Sequence, residues 1–120
     1  MNKALLAAGA ISGAIAVAAG AFGAHALKDR LSEKALSVFE TGARYQMYHA
    51  LAIVLCAALA GGLAGARTAG WLFQAGIVVF SGSLYALALT DVKVLGAITP
   101  LGGLAFLVGW LWLAWAAWRG

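Results

Sequence analysis

Groups able to do chemistry are few in this chain, and most of them stand together. His25, Lys28, Glu40, Arg44, Tyr45, Gln46 and His49 fall within residues 20–50, GAFGAHALKDRLSEKALSVFETGARYQMYHA, and Asp91 follows much later. The stretch holds both histidines, three of the four acids and four of the eight basic residues. Imidazole titrates near neutral pH and ligates metals, so His25 and His49 suggest a metal site, a haem pair or a proton relay. Haem would need both rings facing each other inside a bundle, and no CxxCH is present for covalent attachment. A metal would recruit a third ligand, for which only Glu40 or Asp91 is placed. The plainer reading is preferred. It has two imidazoles hydrogen-bonded to Gln46, Tyr45 or main-chain carbonyls, closing a loop onto a bundle.

Together these eight residues form a candidate polar cap over one end of the molecule. Within it Arg44 has two readings that stay open. Either its side chain reaches from a span toward the head groups, or its guanidinium forks onto Asp91 or Glu40 and locks two loops together. No GxSxG, HExxH, P-loop or pair of carboxylates inside an apolar run occurs, so no nucleophile–base constellation supports an enzyme. Apolar runs without charge at mid-depth also argue against an ion-coupled carrier acting as a single chain.

The elements that must position these residues are set by composition. The chain is 64% hydrophobic and 10% charged, against about 25% charged in soluble domains, and its mean hydropathy is +0.94. A soluble domain of 120 residues cannot bury that much apolar surface, so its solvent is lipid. The net charge of +4 is spread over segment ends, which suits anionic head groups and not nucleic acid. Four apolar segments near the crossing length of about 20 residues are expected at 4–26, 45–65, 70–89 and 94–118. They are expected as helices, because backbone groups in lipid must pair within their own segment. Short connections make neighbours antiparallel and put both termini on one side. Lys3, an apolar run and Ala24-His25-Ala26 imitate a signal peptide, but the run is long for one and is read as a retained first span. Cys56 stands alone in an apolar run, as an inert buried thiol would.

Gly9, Gly13, Ala16, Gly20 and Gly23 form a face of small residues on the first span, where another backbone can approach closely. Residues 30–44 alternate polar and apolar faces at helical spacing, which predicts an amphipathic helix in the first loop. Ser37-Val-Phe-Glu40 reads as a capping box from which a helix would run unbroken into the second span. Ser81 and Ser83 are expected to bond to carbonyls of the preceding turn. Thr99-Pro100 predicts either a helix start with proline in first position or a kink in a longer helix. Trp71, Trp115, Trp118 and Arg119 share one interface as an aromatic belt, while Trp110 and Trp112 are taken as ordinary bulk. The opposite side, with residues 27–44 and 90–93, carries all four acids and five basic residues against three, which weakly favours the cytoplasm for it.

In GAFGAHALK, FETGARYQMYHAL and GAITPLGGLAFLVGW the chain resembles the small bacterial membrane proteins grouped as domain of unknown function four hundred and twenty-three, which also have a mitochondrial relative in eukaryotes. The match rests on Gly20, Gly23, His25, Lys28, Phe39, Gly42, Arg44, Tyr45, Gln46, His49, Pro100 and Gly102. The resemblance implies a multi-pass membrane protein of about four helices and carries over no catalytic residue. Small multidrug exporters differ by an acid inside their first span. Small fluoride channels differ by a break in the third, not evident in IVVFSGSLYALAL.

The expectation is therefore an all-α, integral membrane four-helix bundle, one domain over 1–120, in the plasma (inner) membrane. It has no enzymatic activity, cofactor or metal, and small-residue packing at Gly9, Gly13, Gly20 and Gly23. Its role is structural or accessory, through helix contacts with further copies of the chain or a larger membrane complex, in the lipid bilayer and without nucleic acid. Two alternatives stay open: an oligomeric solute or ion pathway gated by the polar cap, and haem or metal binding by the two histidines.

Overall fold

Every backbone N–H and C=O that leaves water has to find a partner close by along the chain, and the fold meets this with helices alone. The structure is a computed structural model describing residues 1–120. It holds α1 (Lys3–His25), α2 (Glu33–Leu59), α3 (Ala66–Thr90) and α4 (Leu95–Arg119), with no strand. Helices α1, α3 and α4 are long and apolar enough to cross a membrane. Helix α2 is more polar along its inner face, for a reason that the site makes plain. The protein is a helical membrane bundle.

The helix ends follow from local chemistry. Asn2 caps α1, its Oδ1 accepting from the Leu5 N–H at 3.0 Å, while its own N–H donates to the Ala57 carbonyl near the end of α2 at 3.1 Å. Ser32, not Ser37, caps α2: its hydroxyl oxygen accepts from the Ala35 N–H at 3.1 Å. Ser37 lies inside the helix, where its carbonyl accepts from the Thr41 hydroxyl. The amphipathic stretch predicted for the first loop is thus the opening turns of α2, continuous with its apolar part. Gly65, with φ of +99°, turns the chain into α3. Asp91, with φ of +57°, ends it, in the left-handed region that Asp tolerates better than most residues.

Pro100 lies inside α4 and is not its first residue. The helix opens on tight i→i+3 bonds from Leu95, Gly96 and Ala97, and the Thr99 hydroxyl bonds back to the Leu95 carbonyl at 3.2 Å. Helix α3 is irregular too. Over Ile77–Ser81 it widens to a π-turn, with the Gly82 N–H reaching the Ile77 carbonyl. The third apolar segment is therefore interrupted at IVVFS, in a stretch whose sequence reads as regular helix.

Helix α2 packs against both α1 and α3, and α4 packs on α3. The core draws on all four helices, with Leu5, Ile53, Cys56, Ala57, Ala69 and Phe73 completely buried. A smaller apolar group, Leu27, Phe39 and Ala88, closes the polar end. Outward-facing Ile11, Val17, Leu51, Val78, Leu101, Leu104, Leu107 and Leu111 are all at least half exposed, a surface suited to hydrocarbon and not to water.

The small-residue face of α1 meets α2 unevenly. A Cβ on Gly9 would stand 2.9 Å from Ile53 Cγ2, and one on Gly23 3.0 Å from the Phe39 ring. At Gly13 the nearest atom, Ala50 Cβ, is at an ordinary 3.8 Å, and at Gly20 nothing lies within 4 Å. Gly20 is not a packing contact within the chain. The tightest seam is between α3 and α4, where Gly102 abuts the Phe80 main chain, Gly76 the Phe106 ring and Gly109 the Phe73 ring.

Gly9→Ile is expected to lower stability by about 1–3 kcal/mol through overpacking. Gly20→Ile should leave it near wild type. Thermal unfolding in detergent separates the two, and equal loss at both positions would show that Gly20 has a neighbour.

Candidate functional site

The inner face of α2 runs through Gly42, Gln46, His49, Ile53 and Cys56, at steps of three and four that keep one stripe toward the other helices. Two of these residues are polar. Both are buried, and each ties α2 to a different set of neighbours.

His49 is 5% exposed. Its Nδ1 lies 2.8 Å from the Tyr45 carbonyl, and the indole N–H of Trp110 on α4 donates to its Nε2 at 3.1 Å. An indole can only donate and a carbonyl can only accept. Nε2 therefore carries no proton and Nδ1 does, which is the neutral ring in one tautomer. The ring stacks on Phe106 with centroids 3.6 Å apart and planes 7° from parallel. Phe73 of α3 packs against it at 5.4 Å. With both nitrogens engaged, a metal or a travelling proton could use this imidazole only by displacing Trp110. No group of three His, Cys, Asp or Glu side chains is placed to hold a metal ion.

Gln46 links three helices. Its amide Nε2 donates to the Ser12 carbonyl of α1 at 2.9 Å, and its Oε1 accepts from the Tyr85 hydroxyl of α3 at 2.6 Å. Ser12 continues the chain of bonds, its hydroxyl donating to Gln74 Oε1 at 2.9 Å. Beside it the Ser81 hydroxyl, at the end of the π-turn, donates to the Gly42 carbonyl of α2 at 2.7 Å. Ser83 bonds to the Phe80 carbonyl and to Thr99 of α4. No buried side-chain nitrogen or oxygen lacks a partner.

The polar cap expected from the sequence is divided by the fold. Gln46 and His49 lie inside the bundle, whereas His25, Lys28, Glu40, Arg44 and Asp91 are exposed at its surface. Tyr45 is 38% exposed, and its ring packs on Tyr48 and Phe80. The two histidines are not brought together. Helix α2 begins at Glu33, so His49 stands ten residues past Phe39, whose ring packs on Gly23. That is about 15 Å of helical rise away from the end of α1. Neither expected partner of Arg44 is paired with it. Asp91 instead bonds Lys93 at 2.6 Å, the one ion pair in the protein. Lys93, by hydrogen bond and charge, holds the Asp91 carboxyl below its ordinary range. Lys93 is two residues away in the same turn, whereas Arg44 is carried on the outward face of α2.

Trp110, Tyr85, Ser12 and Gln74 complete these bonds and were not legible as site residues. Trp110 looks like bulk in an apolar run, although a buried indole N–H usually needs an acceptor, and that need was the available signal. Gln74 offered another, as a lone amide deep in the third apolar segment.

The family described as "Protein of unknown function (DUF423)" matches residues 19–103. The chain is similar to the UPF0382 membrane protein YwdK of Bacillus subtilis, at 53% identity over 112 residues, 91% of either chain. It is likewise similar to a UPF0382 membrane protein of Staphylococcus epidermidis, at 52% over 104 residues, 86% of this chain and 85% of that one. A UPF0382 membrane protein of Staphylococcus aureus is 50% identical over 106 residues, 88% and 87% of the two chains. No solved structure matches.

Trp110→Phe leaves the buried His49 Nε2 unpaired and His49→Phe leaves the half-exposed Trp110 indole N–H unpaired on an apolar surface, and each should cost roughly 1–2 kcal/mol. The double variant should cost less than their sum. A double-mutant cycle on unfolding in detergent reads this directly, and strict additivity would mean that the bond contributes nothing.

Proposed function

The chain belongs to the DUF423 family of proteins of unknown function, and we propose that it is a non-catalytic accessory membrane protein acting through helix contacts. One observation supports this most. The polar groups that face inward are bonded to one another, while Glu40 and Arg44 face outward from α2 without a partner. They continue into exposed Tyr48, Leu51 and Leu55 on the same helix face. A polar side chain at the edge of hydrocarbon gains by meeting a polar group on a neighbouring helix. The partner in this reading is a further copy of the chain or a helix of a larger complex.

In the same proposal all four helices cross the bilayer, including α2, whose polar residues turn inward. The molecule is 49 Å long, longer than a hydrocarbon core of about 30 Å, so the opening turns of α2 reach the head groups. Met1 lies against Gly61, and Gly120 against Leu63, which is the arrangement expected if both termini leave on one face. The plasma membrane, inner where there are two, is the proposed location, because bacterial outer membranes take barrels. A solute pathway would have to run between copies, since Leu5, Ile53, Cys56 and Phe73 fill the centre of one bundle.

Reporter fusions at Met1 and at Gly120 should report from the same side, and opposite sides would end the four-crossing reading. Subunit counting in nanodiscs should find oligomers for the wild type, weakened about tenfold or more in Arg44→Ala, the size of one lost charge-assisted contact. A wild type that is monomeric and pulls down no membrane partner would overturn the proposed role.

A further inference from the structure

The polar end of the bundle carries a groove beside the Lys93–Asp91 pair. It lies between the opening turns of α2 and the end of α3, and encloses about 330 Å³, the lower end of the roughly 300–1,000 Å³ of small-molecule clefts. Its floor is apolar, formed by Ala35 and Val38 of α2 with Leu87 and Ala88 of α3. Its rim is charged, with Lys34 from α2 and Asp91 and Lys93 from the following loop.

The rim has an excess of one positive charge, two ammonium groups against one carboxylate. Lys93 and Asp91 bond at 2.6 Å while remaining 76% and 79% exposed. Lys34 is near enough to add to the potential that keeps Asp91 ionised. Lys34 and Lys93 line the same groove, so one anion placed over it stands between two ammonium groups. The floor residues Val38 and Leu87 are half-buried and stand one turn farther along α2 and α3, toward the apolar part of the bundle, than Lys34 and Asp91. An occupant complementary to this order has an anionic head and a hydrocarbon tail. Basic pockets between helices at the head-group level take phosphate heads on the same physical grounds.

We propose that this groove seats the head group of an anionic phospholipid, with Lys34 and Lys93 on its phosphate and an acyl chain along α2 and α3. Free phosphate shares the chemistry of the rim but gains nothing from the floor. The site needs only the membrane setting and is independent of the accessory role proposed above.

Native mass spectrometry of the purified protein in mixed micelles tests it. Dioleoylphosphatidylglycerol is titrated against dioleoylphosphatidylcholine, and thermal stability is followed in parallel with each lipid and with inorganic phosphate. The wild type should retain phosphatidylglycerol in preference to phosphatidylcholine. Lys34→Gln with Lys93→Gln should lower that preference about tenfold or more, since each basic group near an anionic lipid contributes severalfold. Lys3→Gln with Lys28→Gln removes the same charge elsewhere and should keep the preference. All four lysines are exposed, so these variants are expected to fold. Equal loss in the control pair, equal retention of both lipids, or stabilisation by inorganic phosphate as large as by phosphatidylglycerol would each overturn the proposal.

Discussion

The fold depends on a rule that hydrocarbon imposes more severely than water does: a polar group taken inside must be bonded there. Helix α2 brings Gln46 and His49 inward, and the other three helices are held in the register that satisfies them. Gln46 fixes α1 through the Ser12 carbonyl and α3 through the Tyr85 hydroxyl, and His49 fixes α4 through the Trp110 indole. Apolar contact alone discriminates poorly between arrangements in a bilayer, because lipid tails are as apolar as leucine. These few bonds select one arrangement from many of similar packing.

The same constraint accounts for the irregular turn in α3. A widened turn adds a residue to one coil and rotates everything beyond it. Here it lies between Phe73, which packs on His49, and Tyr85, which bonds Gln46. The Ser81 hydroxyl at its end finds a carbonyl of α2, and Gly102 of α4 admits the main chain at Phe80. Glycines at 76, 102 and 109 draw α3 and α4 together, and this close approach brings Phe106 and Trp110 onto the imidazole.

The two ends of the bundle are chemically unlike. One gathers Lys3, Arg67, Trp115 and Trp118, with the Arg119 guanidinium 4.2 Å from the Trp115 ring centre, and suits the interface where aromatic rings settle. The other carries all the acids, the Lys93–Asp91 pair and the opening turns of α2. Its charges are surface groups and hold no helix in place. Histidine chemistry is correspondingly split: His25 is solvent-accessible at a helix end, whereas His49 is a structural bolt in a single tautomer.

Composition and segment length were enough to establish lipid as the solvent, helices as the elements and four as their number, because hydrocarbon excludes unpaired backbone. The motifs around His25, Arg44 and Pro100 were enough for the family. The interior place of Pro100 and the π-turn at Ile77–Ser81 were set by neighbouring helices, beyond what local propensity records, whereas α2 starts at Glu33 on its local cap at Ser32. Which groups meet His49 was decided by tertiary structure alone. In water, the contrast between an apolar and a polar side tells which face of a helix turns inward. In α1 and α4 both sides are apolar, so that contrast is missing. Only the packed bundle could bring Trp110 to a histidine 61 positions earlier in the chain.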